Sequence, residues 1–373
     1  MTRETTGATG AGAKPASEAY SQSPGLVGRL RRLKATVAFS SYQSGVLYML
    51  GVNPQGGAQI HQSALPKPMG LAYRDGRLVV STNYQIFEYA NVLEPGEQAN
   101  QLFDACFMPR RVHVTGQFDA HDVALDSDGV PIFVNTRFNC VARIDHRHSF
   151  SELWRPPFIS RLVNEDRCHL NGFAVEDGEV RYATAVSRSD TIDGWRDRRA
   201  DGGIVIDART GQIVCEGLSM PHSPRLFNGE LWLLNSGTGE LGVVTGLGGK
   251  TGKGQFEPRV FCPGFVRGLS IHDGFAFVGL SKPRYKRFEG LALDQRLKDA
   301  DSEAWCGLNV IDLESGVCVD WFRIDAAVQE LYDVCVLPGV GCAMTISPRA
   351  SEQATLVTFR AGPAHEKKSP DPA

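Results

Sequence analysis

Three histidines and a glutamate stand at comparable points of a chain that repeats itself, and their side chains could support metal or acid–base chemistry. They are His121, His169, His222 and Glu330. Three imidazoles and a carboxylate are a suitable ligand set for a divalent transition metal, and an open coordination position would let a bound water act as a nucleophile. No compact motif such as HExxH joins the four residues, so a metal site depends on a fold that brings them together.

Two other interpretations of the same histidines stay open. They could form hydrogen bonds around a water-filled channel without any catalytic role. Alternatively, His121 or His169 could act as a general base without a metal, oriented by Asp119 or Asp122. Cys168 lies next to His169, but adjacent residues of a strand face opposite sides, so we interpret this cysteine as structural.

Internal repetition indicates which elements position these side chains. Six stretches, the last of them at 332–347, each contain a strand, a turn and a second strand, and the second residue of each stretch serves as an anchor for the alignment. The anchors are Gly70, Asp122, Gly172, Ser223, Gly268 and Asp333, at intervals of 52, 50, 51, 45 and 65 residues. Two further strand-like runs follow most stretches, and four strands in about 45–50 residues are typical of a β-propeller blade.

The repeats predict an all-β fold, a β-propeller of six blades with four antiparallel strands each. Three strand-like runs precede the first stretch; they would complete the last blade and close the ring, or form a seventh blade. Six blades are favoured because only six inner strands can be found. We expect the propeller to span residues 35–360, between a flexible tail with a short helix at 1–34 and a flexible tail at 361–373.

Propeller geometry predicts a polar ring at one mouth of the central channel. The residue before each anchor, and the residue two positions earlier, are expected to point inward. They are Met69, His121, Asn171, His222, Arg267 and Tyr332, with Lys67, Asp119, His169, Met220, Phe265 and Glu330. We expect substrate to be bound on this face by Arg225, Arg267, Asn171, Asn235, Tyr332 and Lys282.

Two long loops, 187–203 and 281–307, are expected to cover the same mouth as lids. Trp195 and a set of cations would give them an aromatic and basic inner surface suited to an anionic small molecule. The cations are Arg196, Arg198, Arg199, Lys282, Arg284, Lys286 and Arg287.

Charge and composition exclude several partners and cofactors. A formal net charge of −3 gives no electrostatic footprint for nucleic acid. No apolar run approaches the roughly 18 residues that span a bilayer, and no signal peptide begins the chain, so we expect a cytoplasmic protein without membrane contacts. The nine cysteines form no CxxC pair, and no segment has P-loop spacing, so we expect reduced thiols and no nucleotide cofactor. The oligomeric state stays open.

Several sequence blocks resemble those of a bacterial family defined by a domain of unknown function, which is expected to be a β-propeller. The blocks lie between about Phe39 and Val340 and include TRFNCVA, LWRPPFIS, GLSMPHSPR and ELYDVCVLPGV. More distantly, the ring is similar to six-bladed lactonases and strictosidine-synthase-like propellers. The calcium site of those proteins favours Glu, Asn and Asp, whereas this ring is rich in histidine, which argues against calcium.

Two classes of function remain. The first is an enzyme that acts on a small polar or anionic metabolite at the channel mouth, by metal-assisted hydrolysis, lyase chemistry or isomerisation. The alternative is a non-catalytic propeller that binds a ligand or a protein, because a fold does not determine a function. The convergence of titratable groups in one pocket favours the enzyme.

Overall fold

Six four-stranded antiparallel sheets surround a central channel in the computed structural model, and two of them gain a fifth strand. The structure describes residues 20–249, 252–282, 290–325 and 327–359. We number the blades 1 to 6 in the chain order of their innermost strands. The prediction of a six-bladed propeller is confirmed.

The described part of the chain begins on the outside of the ring. The first elements are β1 (Tyr20–Gln22), α1 (Leu26–Leu33), β2 (Ala35–Ser41), β3 (Val46–Val52) and β4 (Ala58–Ala64). Leu26 and Leu30, one helical turn apart, are buried in the hydrophobic core beneath α1. The described part of the segment expected to be a tail, residues 20–34, therefore packs on the propeller.

Blades 1 to 3 follow in order, each from the channel outward. Blade 1 contains β5 (Leu71–Arg74), β6 (Arg77–Ser81), β7 (Gln85–Asn91) and β8 (Ala105–Val114). Blade 2 contains β9 (Ala120–Leu125), β10 (Pro131–Asn135), β11 (Cys140–Arg143) and β12 (Ser151–Trp154). Blade 3 contains β13 (Leu170–Glu176), β14 (Glu179–Ala185), β15 (Gly203–Asp207) and β16 (Ile213–Leu218), with a short 3₁₀ helix at Arg196–Arg198.

Blades 4 to 6 complete the ring. Blade 4 contains β17 (Pro221–Phe227), β18 (Glu230–Asn235), β19 (Glu240–Thr245) and β20 (Gln255–Phe261), with a 3₁₀ helix at Ser236–Thr238. Blade 5 contains β21 (Phe265–His272), β22 (Phe275–Ser281), β23 (Gly307–Asp312) and β24 (Val317–Ile324), with α2 (Ala292–Asp299) between β22 and β23 and β1 at its outer edge. The inner strand of blade 6 is β25 (Asp333–Pro338), and β26 (Ala343–Thr345) and α3 (Glu352–Thr355) follow it.

Blade 6 closes the ring, because its inner strand comes from late in the chain and its other three strands come from the N-terminal part. Strand β25 pairs with β2, so that Val336 lies opposite Val37, and β3 and β4 complete the sheet. The N-terminal strands therefore finish the last blade and do not form a seventh. The expectation that 332–347 holds two strands of one blade is wrong in its second half, because β26 pairs in parallel with β8 on the outside of blade 1.

The six anchors form a ring inside the channel, and polar side chains alternate with glycine around it. Each polar anchor accepts a hydrogen bond from a backbone amide in the inner strand of the next blade. The pairs are Asp122 with Phe173 (3.2 Å), Ser223 with Gly268 (3.2 Å) and Asp333 with Leu71 (2.8 Å). We call this set of six residues the anchor ring.

The glycines of the anchor ring are required by close backbone approaches. A Cβ atom at Gly268 would lie 2.6 Å from the backbone nitrogen of Val334, and Gly268 has a positive φ of 83°. A Cβ atom at Gly70 would lie 3.1 Å from the Cα of Asp122. The backbone at each of these polar anchors thus packs directly on the anchor glycine of the blade before it.

Within the described residues, no helix is long and apolar enough to cross a membrane.

Candidate active site at the channel mouth

One mouth of the channel holds a cavity of about 370 Å³, within the size range of small-molecule sites. Its walls come from the residues that lead into the six inner strands. All the side chains expected to point inward line it, except that of Asn171. The other lining residues are Trp195, Arg196 and Arg199 of the loop 187–203, which were expected to face the mouth, together with Tyr42, Asn83 and Asp166. The channel mouth therefore gathers imidazoles, cations and carboxylates in a single cavity.

Left-handed backbone conformations occur where the chain enters the inner strands of blades 1 to 4. The residues are Lys67, Asp119, His169 and Met220, with φ between 49° and 54°. Non-glycine residues rarely adopt this conformation, and it persists where the surrounding structure holds it. In blades 2 and 4 the carbonyl of this residue contacts the imidazole two residues later. The distances are 2.9 Å from Asp119 O to His121 Nδ1 and 2.8 Å from Met220 O to His222 Nδ1.

The imidazoles of His121 and His222 are uncharged near neutral pH. His222 is buried and His121 is half-buried, and burial together with the charge of Arg267 lowers the pKa of both well below the usual value. A backbone carbonyl only accepts hydrogen bonds, so Nδ1 of each ring carries the proton. Both rings therefore keep an unprotonated Nε2, the form that accepts a proton.

The third histidine, His169, is oriented by a carboxylate. Its Nδ1 lies 2.8 Å from Oδ2 of Asp166, and the indole of Trp195 donates to the same oxygen at 3.1 Å. The indole also stacks on the imidazole, with ring centroids 4.0 Å apart. Asp166 was not expected from the sequence, where Asp119 or Asp122 was assigned this role. The feature of the sequence that could have indicated Asp166 is a carboxylate three residues before His169.

Arg225 lies outside this cavity, so the expectation that it sits at the mouth is wrong. Its guanidinium donates two hydrogen bonds to the carboxylate of Asp122, at 2.8 and 3.0 Å, and it lines a second cavity of about 340 Å³. The register of β17 against β18 shifts between His222 and Arg225, where Ser223 has a positive φ of 48°. This bulge breaks the alternation on which the expectation depended.

Asp333 is the second carboxyl group beside Arg225, with Oδ1 4.0 Å from Nη2. Burial, and then the charge of Asp122, raises the pKa of Asp333 to about 7. A single guanidinium thus lies between two buried carboxyl groups, and one of them takes up a proton near neutral pH. This cluster lies at the level of the anchor ring and belongs to the scaffold of the channel.

Three other residues expected to bind substrate do not line the cavity. Asn171 donates from Nδ2 to a backbone carbonyl of the next blade at 3.0 Å, and Asn235 accepts a backbone amide at 2.7 Å. Lys282 follows β22, is half-buried, and donates its backbone amide to the carbonyl of Gln329, the residue before Glu330, at 2.8 Å. Of the six residues expected to bind substrate, Arg267 and Tyr332 line the cavity.

The two loops expected to act as lids both reach this face. Loop 187–203 contributes Trp195 and two arginines to the cavity wall. From loop 281–307, Leu293 and Leu297 of α2 pack with Trp195 in one hydrophobic cluster. Of the expected cations, Arg284, Lys286 and Arg287 lie outside the described residues, and Arg198 donates to the carbonyl of Arg188.

The candidate metal ligands do not form a ligand set in this geometry. In the described part of the chain, no three His, Cys, Asp or Glu side chains converge on one point. The rings of His121 and His169 pack edge to face with centroids 5.0 Å apart, and His222 packs against Phe265. The metal site stays a prediction.

Metal analysis of protein purified without a polyhistidine tag tests that prediction. If His222 is a ligand, stoichiometric zinc, iron, manganese or copper in the parent protein should be lost in His222→Ala, since removal of one ligand weakens coordination sharply. Fold and secondary structure should be retained, because the blades supply the core. Metal-free parent protein, or equal metal content in the variant, contradicts the prediction.

The described walls of the cavity contain no serine, threonine or cysteine. Cys168, beside His169, is fully buried outside the cavity, and burial raises the pKa of its thiol well above the usual value. The groups of the described walls that are suited to proton transfer are therefore the imidazoles of His121, His169 and His222.

A family model matches residues 24–346, which is most of the chain. The chain belongs to this family, Domain of unknown function (DUF4915). The match covers all six inner strands and supports the resemblance noted in the sequence. No curated protein matches the chain.

Several solved structures are similar in fold. One, from a nidogen/laminin complex, has a TM-score of 0.51 at 12% identity and covers 82% of this chain and 99% of its own. A gluconolactonase from Xanthomonas campestris has a TM-score of 0.44 at 12% identity, covering 78% and 86%. Virginiamycin B lyase from Staphylococcus aureus has a TM-score of 0.41 at 13% identity, covering 78% and 91%. At such low identity these likenesses describe the fold alone.

Proposed function

We propose that the protein is an enzyme that acts on a small polar or anionic metabolite by acid–base chemistry at the channel mouth. The observation that carries this proposal is the pair of uncharged imidazoles, His121 and His222, whose Nδ1 atoms are bound to backbone carbonyls. Both rings line the same cavity as the guanidinium of Arg267. A base with a free Nε2 beside a fixed cation can remove a proton from a bound anionic molecule.

Each residue has a distinct role in this proposal. His121 and His222 take up and return protons through Nε2. Asp166 holds the ring of His169 through Nδ1, which makes His169 a third group able to exchange a proton with the substrate or with water. Trp195 covers that pair from the lid loop and limits access of water. Hydrolysis by an activated water, elimination and isomerisation all begin with such a proton transfer.

Incubation of a metabolite extract with wild-type protein and with His121→Gln tests the proposal. Mass spectrometry should identify a metabolite that the wild type consumes, and the variant should consume it about 10²–10⁴-fold more slowly. The wild-type rate at low substrate concentration, which reports kcat/KM and hence the free protein, should not fall as the pH decreases from 8 to 6.5. The base works in its unprotonated form, and its lowered pKa keeps it unprotonated over this range.

His61→Gln is the matched control. His61 also contacts a backbone carbonyl, that of Thr345 at 2.9 Å, but it lies in blade 6 away from the cavity. This variant should consume the metabolite at the wild-type rate. A propeller that binds metabolites but consumes none of them, or one whose turnover is unchanged in both His121→Gln and His222→Gln, would be the non-catalytic alternative.

A further inference from the structure

Arg267 is a largely buried cation with an unused hydrogen-bond donor. Its side chain is 12% exposed, and its guanidinium lies 3.5 Å from the ring centroid of Tyr332. The carboxylate oxygen Oε1 of Glu330 lies 3.9 Å from Nη1, beyond hydrogen-bond distance. Nη2 is buried and has no hydrogen-bond partner in the part of the chain that the structure describes. Buried donors are normally satisfied, so this one indicates an acceptor supplied by a ligand.

We propose that Arg267 holds the carboxylate of the substrate, and that the substrate is a small monocarboxylic acid whose reacting carbon lies beside His121 and His222. This inference rests on the proposed function of the same cavity. The hydroxyl of Tyr332 is also buried without a partner among the described residues, and its ring lies against the guanidinium. A guanidinium presents parallel N–H donors that match the two oxygens of a carboxylate.

The charges around the cavity favour a monoanion over a dianion such as phosphate. The cationic side chains in its described walls are Lys67, Arg196, Arg199 and Arg267, and the acidic ones are Asp119, Asp166 and Glu330. With the imidazoles left aside, four positive and three negative groups leave one positive charge. A single carboxylate neutralises that charge, whereas a second negative charge would meet the carboxylates of the wall.

The position of Arg267 also connects binding with proton transfer. After burial, its charge is the largest influence that lowers the pKa of His121 and of His222. A carboxylate on the guanidinium offsets this charge, so the occupied site holds more basic imidazoles than the empty one. Substrate binding would therefore strengthen the two bases at the moment they are needed.

Equilibrium titration of the full-length protein with four probes, with binding measured by ligand-observed NMR, tests the proposal. Acetate and glycolate carry a carboxylate, acetamide is their neutral counterpart, and inorganic phosphate is a tetrahedral anion. We expect acetate and glycolate to bind with Kd values on the order of millimolar. Phosphate should bind more weakly, and acetamide should not bind.

Two substitutions of Arg267 and one control test whether Arg267 is the residue that binds the carboxylate. Arg267→Gln should weaken glycolate binding by about tenfold or more, because it removes a charged hydrogen-bond donor. Arg267→Lys keeps the charge but loses the planar donors, so it should recover only part of the affinity. Arg188→Gln removes the same charge from an exposed position of the loop 187–203 that does not line the cavity, and should change binding by less than about twofold.

The outcomes separate this inference from the proposed function. Tighter binding of phosphate than of glycolate, binding of acetamide, or unchanged glycolate binding in a folded Arg267→Gln protein overturns it. If Arg267→Gln does not fold, full affinity in Arg267→Lys overturns it as well. Carboxylate binding that depends on Arg267, without turnover that depends on His121, would retain the binding site and reject the enzyme. Turnover of a neutral metabolite that depends on His121 would retain the enzyme and reject the carboxylate-binding site.

Discussion

Replacement of Asp122 by alanine is expected to lower the free energy of unfolding by about 3–5 kcal/mol, the usual cost of removing one partner of a buried ion pair. Its carboxylate is 5% exposed and accepts two hydrogen bonds from Arg225. It also accepts the amides of Val123 and Phe173, at 3.0 and 3.2 Å. Alanine would leave the guanidinium with Asp333, at 4.0 Å, as its remaining carboxyl neighbour.

Chemical denaturation of Asp122→Ala and Glu216→Ala measures this effect against a matched control. Glu216 also stands beside a cation, at 3.9 Å from Lys253, but its side chain is 60% exposed. Exposed pairs contribute about 0–1 kcal/mol, so Glu216→Ala should be nearly neutral. If Asp122→Ala does not fold, Asp122→Asn keeps the shape and one acceptor and should lose less stability. Equal, small losses for both alanine variants would show that the anchor ring does not depend on this pair.

Gly268→Ala is expected to lower the free energy of unfolding by about 2–5 kcal/mol, combining backbone strain with overpacking. Gly268 has a φ of 83°, which alanine adopts only at a cost. Its new Cβ would lie 2.6 Å from the nitrogen of Val334 and 2.7 Å from the Cα of Asp333. These are backbone atoms of blade 6, which a rotamer change cannot move away.

Gly274→Ala separates the two contributions in the same denaturation experiment. Gly274 has a φ of 77°, but a Cβ there would meet nothing within 4 Å. This control should therefore show only the strain, about 1–2 kcal/mol. A loss in Gly268→Ala no larger than that of the control would mean that blades 5 and 6 separate easily at the anchor ring.

The sequence predicted the ring of inner strands well because blades repeat. A repeat that aligns six anchors places the flanking residues at equivalent points of the channel, and His121, His222, Arg267 and Tyr332 accordingly line one cavity. The ring closure through β2 and β25 was also predictable, because a closed propeller leaves no inner edge unpaired.

The details that the sequence did not reveal depend on breaks in regular strand geometry. A bulge at Ser223 moves Arg225 away from the mouth, and a shift at Asn171 turns its side chain toward the next blade. Periodicity assumes regular alternation and cannot anticipate such bulges. Asp166 was missed because it precedes its strand, where no repeat pattern applies, and its role follows from packing with Trp195.

The alternation of polar residues and glycines within the anchor ring requires an even number of blades in this propeller. Each polar anchor accepts an amide of the following blade, from the anchor glycine itself at Gly268 and from the next residue at Phe173 and Leu71. Each glycine in turn has the backbone of a polar anchor packed on it. An odd number of blades would place two polar anchors side by side, where a Cβ atom meets backbone, or two glycines, where an amide loses its acceptor. Three pairs of one polar anchor and one glycine thus build the ring, and removal of a single blade is expected to destabilise it more than removal of two neighbouring blades.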